Sequence, residues 1–384
     1  MKNLPTKIRI PFYRHSIGND EIASVTNALK HPILTTGKYV IDVEKKIASY
    51  LNVKYALCIN SCTGGIHMSF LALGIGKGDE VITTPLTFVA SIAPIIQSGA
   101  KPILCDIEEN SGNIDVTKIE KVITKKTKAI LVVHLYGAMC DMKKIYLIAK
   151  KYKLKVIEDC AHSFESMRDG IRPGALSSTA CFSFFATKNL TCGEGGAIVT
   201  NSSKIYKKLK EMRTHGMTKT AYERSIDGYS HYDVKNLGWK YNMSNIEASI
   251  LLPQFKKIQT KLNQRKKIVN FYYKNLKEIS NIKLPSLITN DNKYVHSHHL
   301  FPIWVDPKIR DSLILFLKEN GIEVVVNYNP VHFLTFYKKL YGYKKDKYPL
   351  AEKIGLGSIS LPCYPGIRVA DIQVIIKSLK YFFK

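Results

Sequence analysis

The chain is poor in acid: its 384 residues hold 31 Asp and Glu against 57 Lys and Arg, a formal net charge of +26. It lacks any uninterrupted apolar run of the roughly 18 residues that a membrane-spanning helix needs. The opening stretch, residues 1–7, has no apolar segment of a secretory signal. These absences predict a cytoplasmic protein with no membrane association. The eight cysteines (58, 62, 105, 140, 160, 181, 192 and 363) make no CxxC and no paired metal-ligand spacing. Several lie in apolar runs such as Ala56-Leu57-Cys58-Ile59, so buried free thiols are expected, with no disulfide framework and no metal site. No zinc finger, RNP motif or basic tail is present. The lysines instead read as scattered over helix surfaces: Lys143, Lys144, Lys150, Lys151, then Lys204, Lys207, Lys208, then Lys256 through Lys267. That pattern argues against nucleic-acid binding. It fits a lysine-rich bias with some attraction for anionic small molecules.

What is present is an alternation. Residues 19–51 read as helical, a first helix with Asn19 or Asp20 as cap and Ile22, Val25 and Leu29 at helical spacing, and a second with Val40, Val43, Ile47 and Leu51 on one face. From 55 to 215, apolar runs at 55–59, 80–84, 102–106, 129–135, 154–158, 180–184 and 196–200 read as strands. Helices are expected at 66–74, 87–98, 115–124 and 141–152. Apolar strands joined by helices predict an α/β fold around a mostly parallel sheet buried on both faces. A long polar helix at 256–278 then leads into a smaller α+β part. The expected division is 1–255 and 256–384.

In an open α/β sheet, ligands bind beyond the carboxyl ends of the strands. After 55–59 comes Asn60-Ser61-Cys62-Thr63-Gly64-Gly65, either a plain N-cap turn or an anion cradle at a helix start. After 80–84, Phe88 is either core or a stacking wall. After 154–158, Glu158-Asp159-Cys160-Ala161-His162 puts a carboxylate at the end of a buried strand, where it needs a cationic or N–H partner unless it merely caps the next segment. After 180–184, Lys188 is flanked by small and apolar residues and followed by Gly193-Glu194-Gly195-Gly196. A lysine so sheltered can act as an amine nucleophile. Together these ends offer an anion cradle, an aromatic wall, a buried acid, a histidine and a lysine. That is the set pyridoxal phosphate requires.

At these residues the chain resembles the DegT/DnrJ/EryC1/StrS family of sugar aminotransferases, within fold type I of the pyridoxal-phosphate enzymes. The resemblance runs from Ile10-Pro11-Phe12 through His134-Leu135-Tyr136-Gly137 and Phe182-Ser183-Phe184-Phe185-Ala186-Thr187-Lys188-Asn189 to Gly238-Trp239-Lys240-Tyr241-Asn242-Met243 and Leu361-Pro362-Cys363-Tyr364-Pro365. It implies that Lys188 bonds the cofactor aldehyde and later shuttles the substrate proton. It implies that Asp159 pairs with the pyridine nitrogen, Phe88 stacks on the ring and His162 lies beside it. Thr63, Gly64 and Ser183 would hold the phosphate, and Asn242 would reach the phosphate of a neighbouring subunit, making a homodimer with shared sites. The implied reaction moves an amino group from glutamate to a nucleotide-linked keto sugar, here expected to be a UDP-linked 4-keto sugar, for surface glycans such as lipopolysaccharide or capsule. Asn327, Tyr328 and His332 are the expected substrate residues. Three positions depart from relatives: Ser-Cys-Thr-Gly-Gly replaces Ser-Ala-Thr-Ala-Ala, Met243 stands where some members have Arg, and Asn327 where many have His. A transaminase for a small phosphorylated ketone and a noncatalytic protein on the same fold are the alternatives.

Overall fold

A computed structural model describes residues 8–226, 231–286 and 293–384; the opening residues 1–7 lie outside it. Seven strands form the main sheet: β1 (Tyr55–Ile59), β2 (Glu80–Thr83), β3 (Lys101–Leu104), β4 (Thr127–Val133), β5 (Lys155–Asp159), β6 (Thr179–Ser183) and β7 (Gly196–Thr200). Their order is β1-β7-β6-β5-β4-β2-β3. The run from β6 to β3 is parallel, and β7 is antiparallel to both its neighbours. Every strand named from 55 to 200 is therefore present, 55–59 and 196–200 with the expected bounds and the others with bounds moved by one or two residues. Two further strands, β8 (Phe301–Trp304) and β9 (Ser358–Leu361), pair antiparallel. They pack with the helices Ile258–Leu276, Pro307–Glu319 and Val369–Phe382 in a second core. Ile10 belongs to that second core and bridges to Ile322, so the chain's first described residues lie against its C-terminal part.

Four helices position the site: α1 (Asn19–Leu29), α2 (Lys38–Leu51), α3 (Cys62–Ala72) and α4 (Val89–Gln97). The cap of α1 is Gly18, not Asn19 or Asp20. Its N–H donates to Glu21 Oε2 at 2.8 Å, the reciprocal half of a capping box. The two helices read within 19–51 are both present, and the residues between Leu29 and Lys38 separate them. Helix α3 starts four residues before the expected 66, running through Gly64 and Gly65. Glycine costs about 1 kcal/mol in a helix, but here the packing requires it: a Cβ on Gly65 would lie 2.7 Å from Ile59 Cδ1. On the opposite wall, a Cβ on Gly196 would lie 2.6 Å from Cys62 N. The start of α3 thus sits directly on β7, and two glycines let it.

All eight cysteines are buried free thiols. No helix among the described residues is long and apolar enough to cross a membrane. The reading of Lys256 through Lys267 as surface lysines fails at Lys261, which is buried, with its amine lacking a hydrogen-bond partner among the described residues. The helix turns that side chain inward while its neighbours face water.

Candidate active site

The carboxyl ends of β1, β5 and β6, with the start of α4, enclose a cavity of about 430 Å3. Thr63, Phe88, Asp159, His162, Ser183 and Lys188 line it, as do Asn327 and Tyr328 from the C-terminal part. Eight of the predicted site residues therefore converge. Gly64, Asn242 and His332 do not line it. The N–H of Gly64 is taken by Ser61 Oγ at 3.1 Å, one position behind the cavity wall. Asn242 lies outside the cavity, where its Nδ2 donates to Thr36 Oγ1 at 2.8 Å and its Oδ1 is buried with no partner among the described residues. His332 is fully buried, with Nε2 3.0 Å from Glu352 Oε1 and rings of Phe333 and Tyr348 around it. Its place is the core of the C-terminal part, because the turn after Pro330 directs it inward. Met243 is likewise fully buried, packed in a core cluster with Phe184, so the position faces no substrate from this chain.

Asp159 ends β5 with both oxygens occupied by neutral donors. Ser91 Oγ donates to Oδ2 at 2.7 Å, and the Ala161 N–H donates to Oδ1 at 3.1 Å. Ser91 is itself 2.7 Å from Thr87 Oγ1. Sequence reasoning missed Ser91; its signal was a hydroxyl within the otherwise apolar α4, one turn from Thr87. The adjacent Glu158 is spent differently, 2.7 Å from His134 Nε2 in the sheet interior.

Lys188 brings the only amine among the cavity-lining residues. Burial lowers its pKa from 10.5 to about 8, opposed by the nearby negative charge of Asp159 and by Cys62. The neutral, nucleophilic form then rises from about a tenth at pH 7 to about half at pH 8. His162 is held well below its ordinary range, first by burial and then by the charge of Lys188. Its Nδ1 accepts the Tyr136 N–H at 3.2 Å. The neutral ring therefore carries its hydrogen on Nε2, which donates to the Tyr328 hydroxyl at 3.1 Å. Tyr136 in turn donates its hydroxyl to the Asn327 carbonyl at 2.8 Å. The His134-Leu135-Tyr136-Gly137 motif thus orients His162 and the Asn327 backbone together. Phe88 remains half exposed at the rim, 5.5 Å from the Tyr328 ring.

These residues fit pyridoxal phosphate. Cys62 and Thr63 occupy the first turn of α3, whose amides lie ahead of any intrahelical acceptor, and both residues line the cavity. Lys188 and Asp159 line one cavity, an amine for the aldehyde and a carboxylate for the pyridinium. A seven-stranded sheet with this arrangement defines a pyridoxal-phosphate enzyme of fold type I, an aminotransferase. The chain belongs to the DegT/DnrJ/EryC1/StrS aminotransferase family, whose sequence model matches residues 15–380. It is 36% identical over 381 residues to the spore coat polysaccharide biosynthesis protein SpsC of Bacillus subtilis, covering 98% of this chain and 97% of that one. It is 34% identical to the GDP-perosamine synthase of Caulobacter vibrioides, over 90% of this chain and 91% of that one. The solved structure of NtdA from Bacillus subtilis, with bound cofactor PMP, matches with a TM-score of 0.86 and 31% identity, over 100% of this chain and 86% of that one. PMP is the aminated form of pyridoxal phosphate.

The lowered pKa of Lys188 has a consequence for stability. Between about 8 and 10.5 the unfolded chain holds this proton and the folded chain has released it. The lysine therefore opposes folding below pH 8, and its penalty fades as pH rises through that window. Lys188→Met should raise the urea midpoint of the cofactor-free protein near pH 7, and the gain over the natural chain should shrink by about pH 10. A gain independent of pH would contradict the assignment.

Proposed function

We propose that this protein transfers an amino group from glutamate to a nucleoside-diphosphate-linked keto sugar, UDP-linked and aminated at C4, in a cytoplasmic step of surface glycan synthesis. The observation that carries the aminotransferase chemistry is the pair Lys188 and Asp159 in one cavity. Bound pyridoxal phosphate supplies an aldehyde to carry the amino group and a ring that withdraws electrons from the carbon losing its proton. Lys188 would hold the cofactor, and its amine would take the proton from the substrate carbon and return one. Asp159, kept in place by Ser91 and the Ala161 amide, would hold a proton on the ring nitrogen by its negative charge. The first turn of α3 and Ser183 would hold the phosphate, and Phe88 would form one wall of the ring's site. His162, neutral and fixed in its Nε2–H form, keeps the Tyr328 hydroxyl at the cavity side.

The sugar side rests on Asn327 and Tyr328. Asn327 lines the cavity, and its Oδ1 is buried with no partner among the described residues. A buried carbonyl left unpaired costs about 1–3 kcal/mol, which a sugar hydroxyl would offset. A nucleotide diphosphate suits a chain of net charge +26. The relatives named for spore coat polysaccharide and for GDP-perosamine support a glycan pathway and a nucleotide-linked sugar. For the organisation of the chain we take 256 as the start of the smaller C-terminal domain.

We also propose a homodimer with shared sites, Asn242 completing the phosphate site of the other subunit. Its support within one chain is the buried, unpaired Oδ1. Mixing Lys188→Ala chains with Asn242→Ala chains should restore activity, because one site of each heterodimer would keep both residues. No recovery from heterodimers shown to form would contradict sharing. The substrate is tested by turnover of keto sugars with glutamate, the new amine being located by NMR. An amine at C4 of a UDP-linked sugar is expected. An amine at C3, or activity only with a small phosphorylated ketone, would overturn the substrate reading.

A further inference from the structure

Lys188 has a second buried neighbour that the chemistry above does not use. Its Nζ lies 3.5 Å from His299 Nε2. His299 Nδ1 is 3.2 Å from Asn189 Oδ1. Asn189 Nδ2 donates to Glu165 Oε2 at 3.0 Å and to the Ser297 carbonyl at 3.1 Å. Glu165 Oε1 is paired with Arg265 Nη2, and Arg265 Nε donates to the same Ser297 carbonyl at 3.0 Å. Arg265 and Glu165 are both 1% exposed.

We propose that Arg265, Glu165, Asn189 and His299 form a buried tautomer lock that presents His299 Nε2 as a fixed hydrogen-bond acceptor to Lys188, and so positions the lysine amine whenever it is not joined to the cofactor. The inference rests on the reading of Lys188 as the cofactor lysine. Its direction follows link by link. Arg265 only donates and does not lose its proton, so Glu165 faces it as a carboxylate, which only accepts. Two acceptors, Glu165 and the Ser297 carbonyl, then demand the nitrogen end of the Asn189 amide. That turns the Asn189 oxygen toward His299, where an acceptor meets Nδ1, so Nδ1 must carry the hydrogen. A neutral ring protonated there has a bare Nε2, and the lysine amine donates to it. The ring stays neutral because burial, and then the charges of Lys188 and Arg265 and the nearby His162, hold its pKa well below the ordinary range.

An amine that must leave a covalent bond, carry a proton and rebind needs a defined resting place. The other groups near Lys188 are Asp159, Cys62 and His162. Asp159 attracts the protonated amine, and in the loaded enzyme its charge is claimed by the pyridinium. His299 is then the neutral acceptor that remains. These are positioning residues: of the four side chains only that of His299 reaches the lysine amine, and the other three act through it.

The test reads Lys188 directly in the full-length, cofactor-free protein. The rate of its acetylation is followed against pH by mass spectrometry of the peptide that carries it, which returns the pKa of the amine. His299→Leu removes the acceptor of a charged donor, and the pKa should fall by about one unit. Asn189→Ala frees the tautomer and should lower it in the same direction. His299→Gln keeps an acceptor oxygen and should restore most of the shift. An unchanged titration in both the Leu and the Ala variants would overturn the proposal, as would an equal fall in the Leu and Gln variants, which marks packing alone. Because the readout needs no cofactor, it is independent of which lysine the cofactor bonds.

Discussion

An amine buried in a protein is unstable as a cation, and an amine in water is useless as a nucleophile near neutral pH. Most of the structure around Lys188 can be understood as a way of living between those limits. Burial brings its pKa down to about 8, and the charge of Asp159 keeps it from falling further. The carboxylate faces the reverse problem, which Ser91 and the Ala161 amide solve by donating to it without bringing a charge. The sheet then serves as the frame. Asp159 ends β5, Ser183 ends β6, and the loop from Ser183 to Gly196 carries Lys188. Parallel pairing of β5 with β6 places Asp159 opposite Cys181, two residues before Ser183, so acid and lysine loop emerge at the same sheet end.

The anion cradle depends on the same frame from the other side. Ser61 caps α3 by accepting the Gly64 N–H, which leaves the earlier amides of the first turn for a ligand. The cap stands where it does because β7 begins with Gly196, whose missing side chain lets Cys62 approach. The glycine-rich stretch after Lys188 therefore serves two ends. Gly193 turns the chain at φ +87, and Gly196 admits the start of α3.

Features that depend on neighbours in sequence were legible. The strands stood out because their apolar runs are continuous, and Lys188 stood out because its flanks are small and apolar while most other lysines sit among polar residues. Helix α3 was read too short because glycine propensity argues against a helix that tertiary contact with Ile59 imposes. His332 was read as a substrate residue from a motif, while its burial against Glu352 depends on a helix twenty positions away. The lock behind Lys188 was invisible for the same reason at larger scale, since His299 and Lys188 are 111 residues apart and Arg265 and Glu165 are 100 apart. Asn189 shows the boundary well: the motif Ala186-Thr187-Lys188-Asn189 marked the residue, and only the fold shows what it holds.

Lys188 is the residue on which the chemistry turns. Borohydride reduction of the purified, yellow holoenzyme should fix pyridoxal phosphate to one peptide, and sequencing of that peptide should place the label on Lys188. Label on another lysine, or a colourless protein that takes no label, would contradict it.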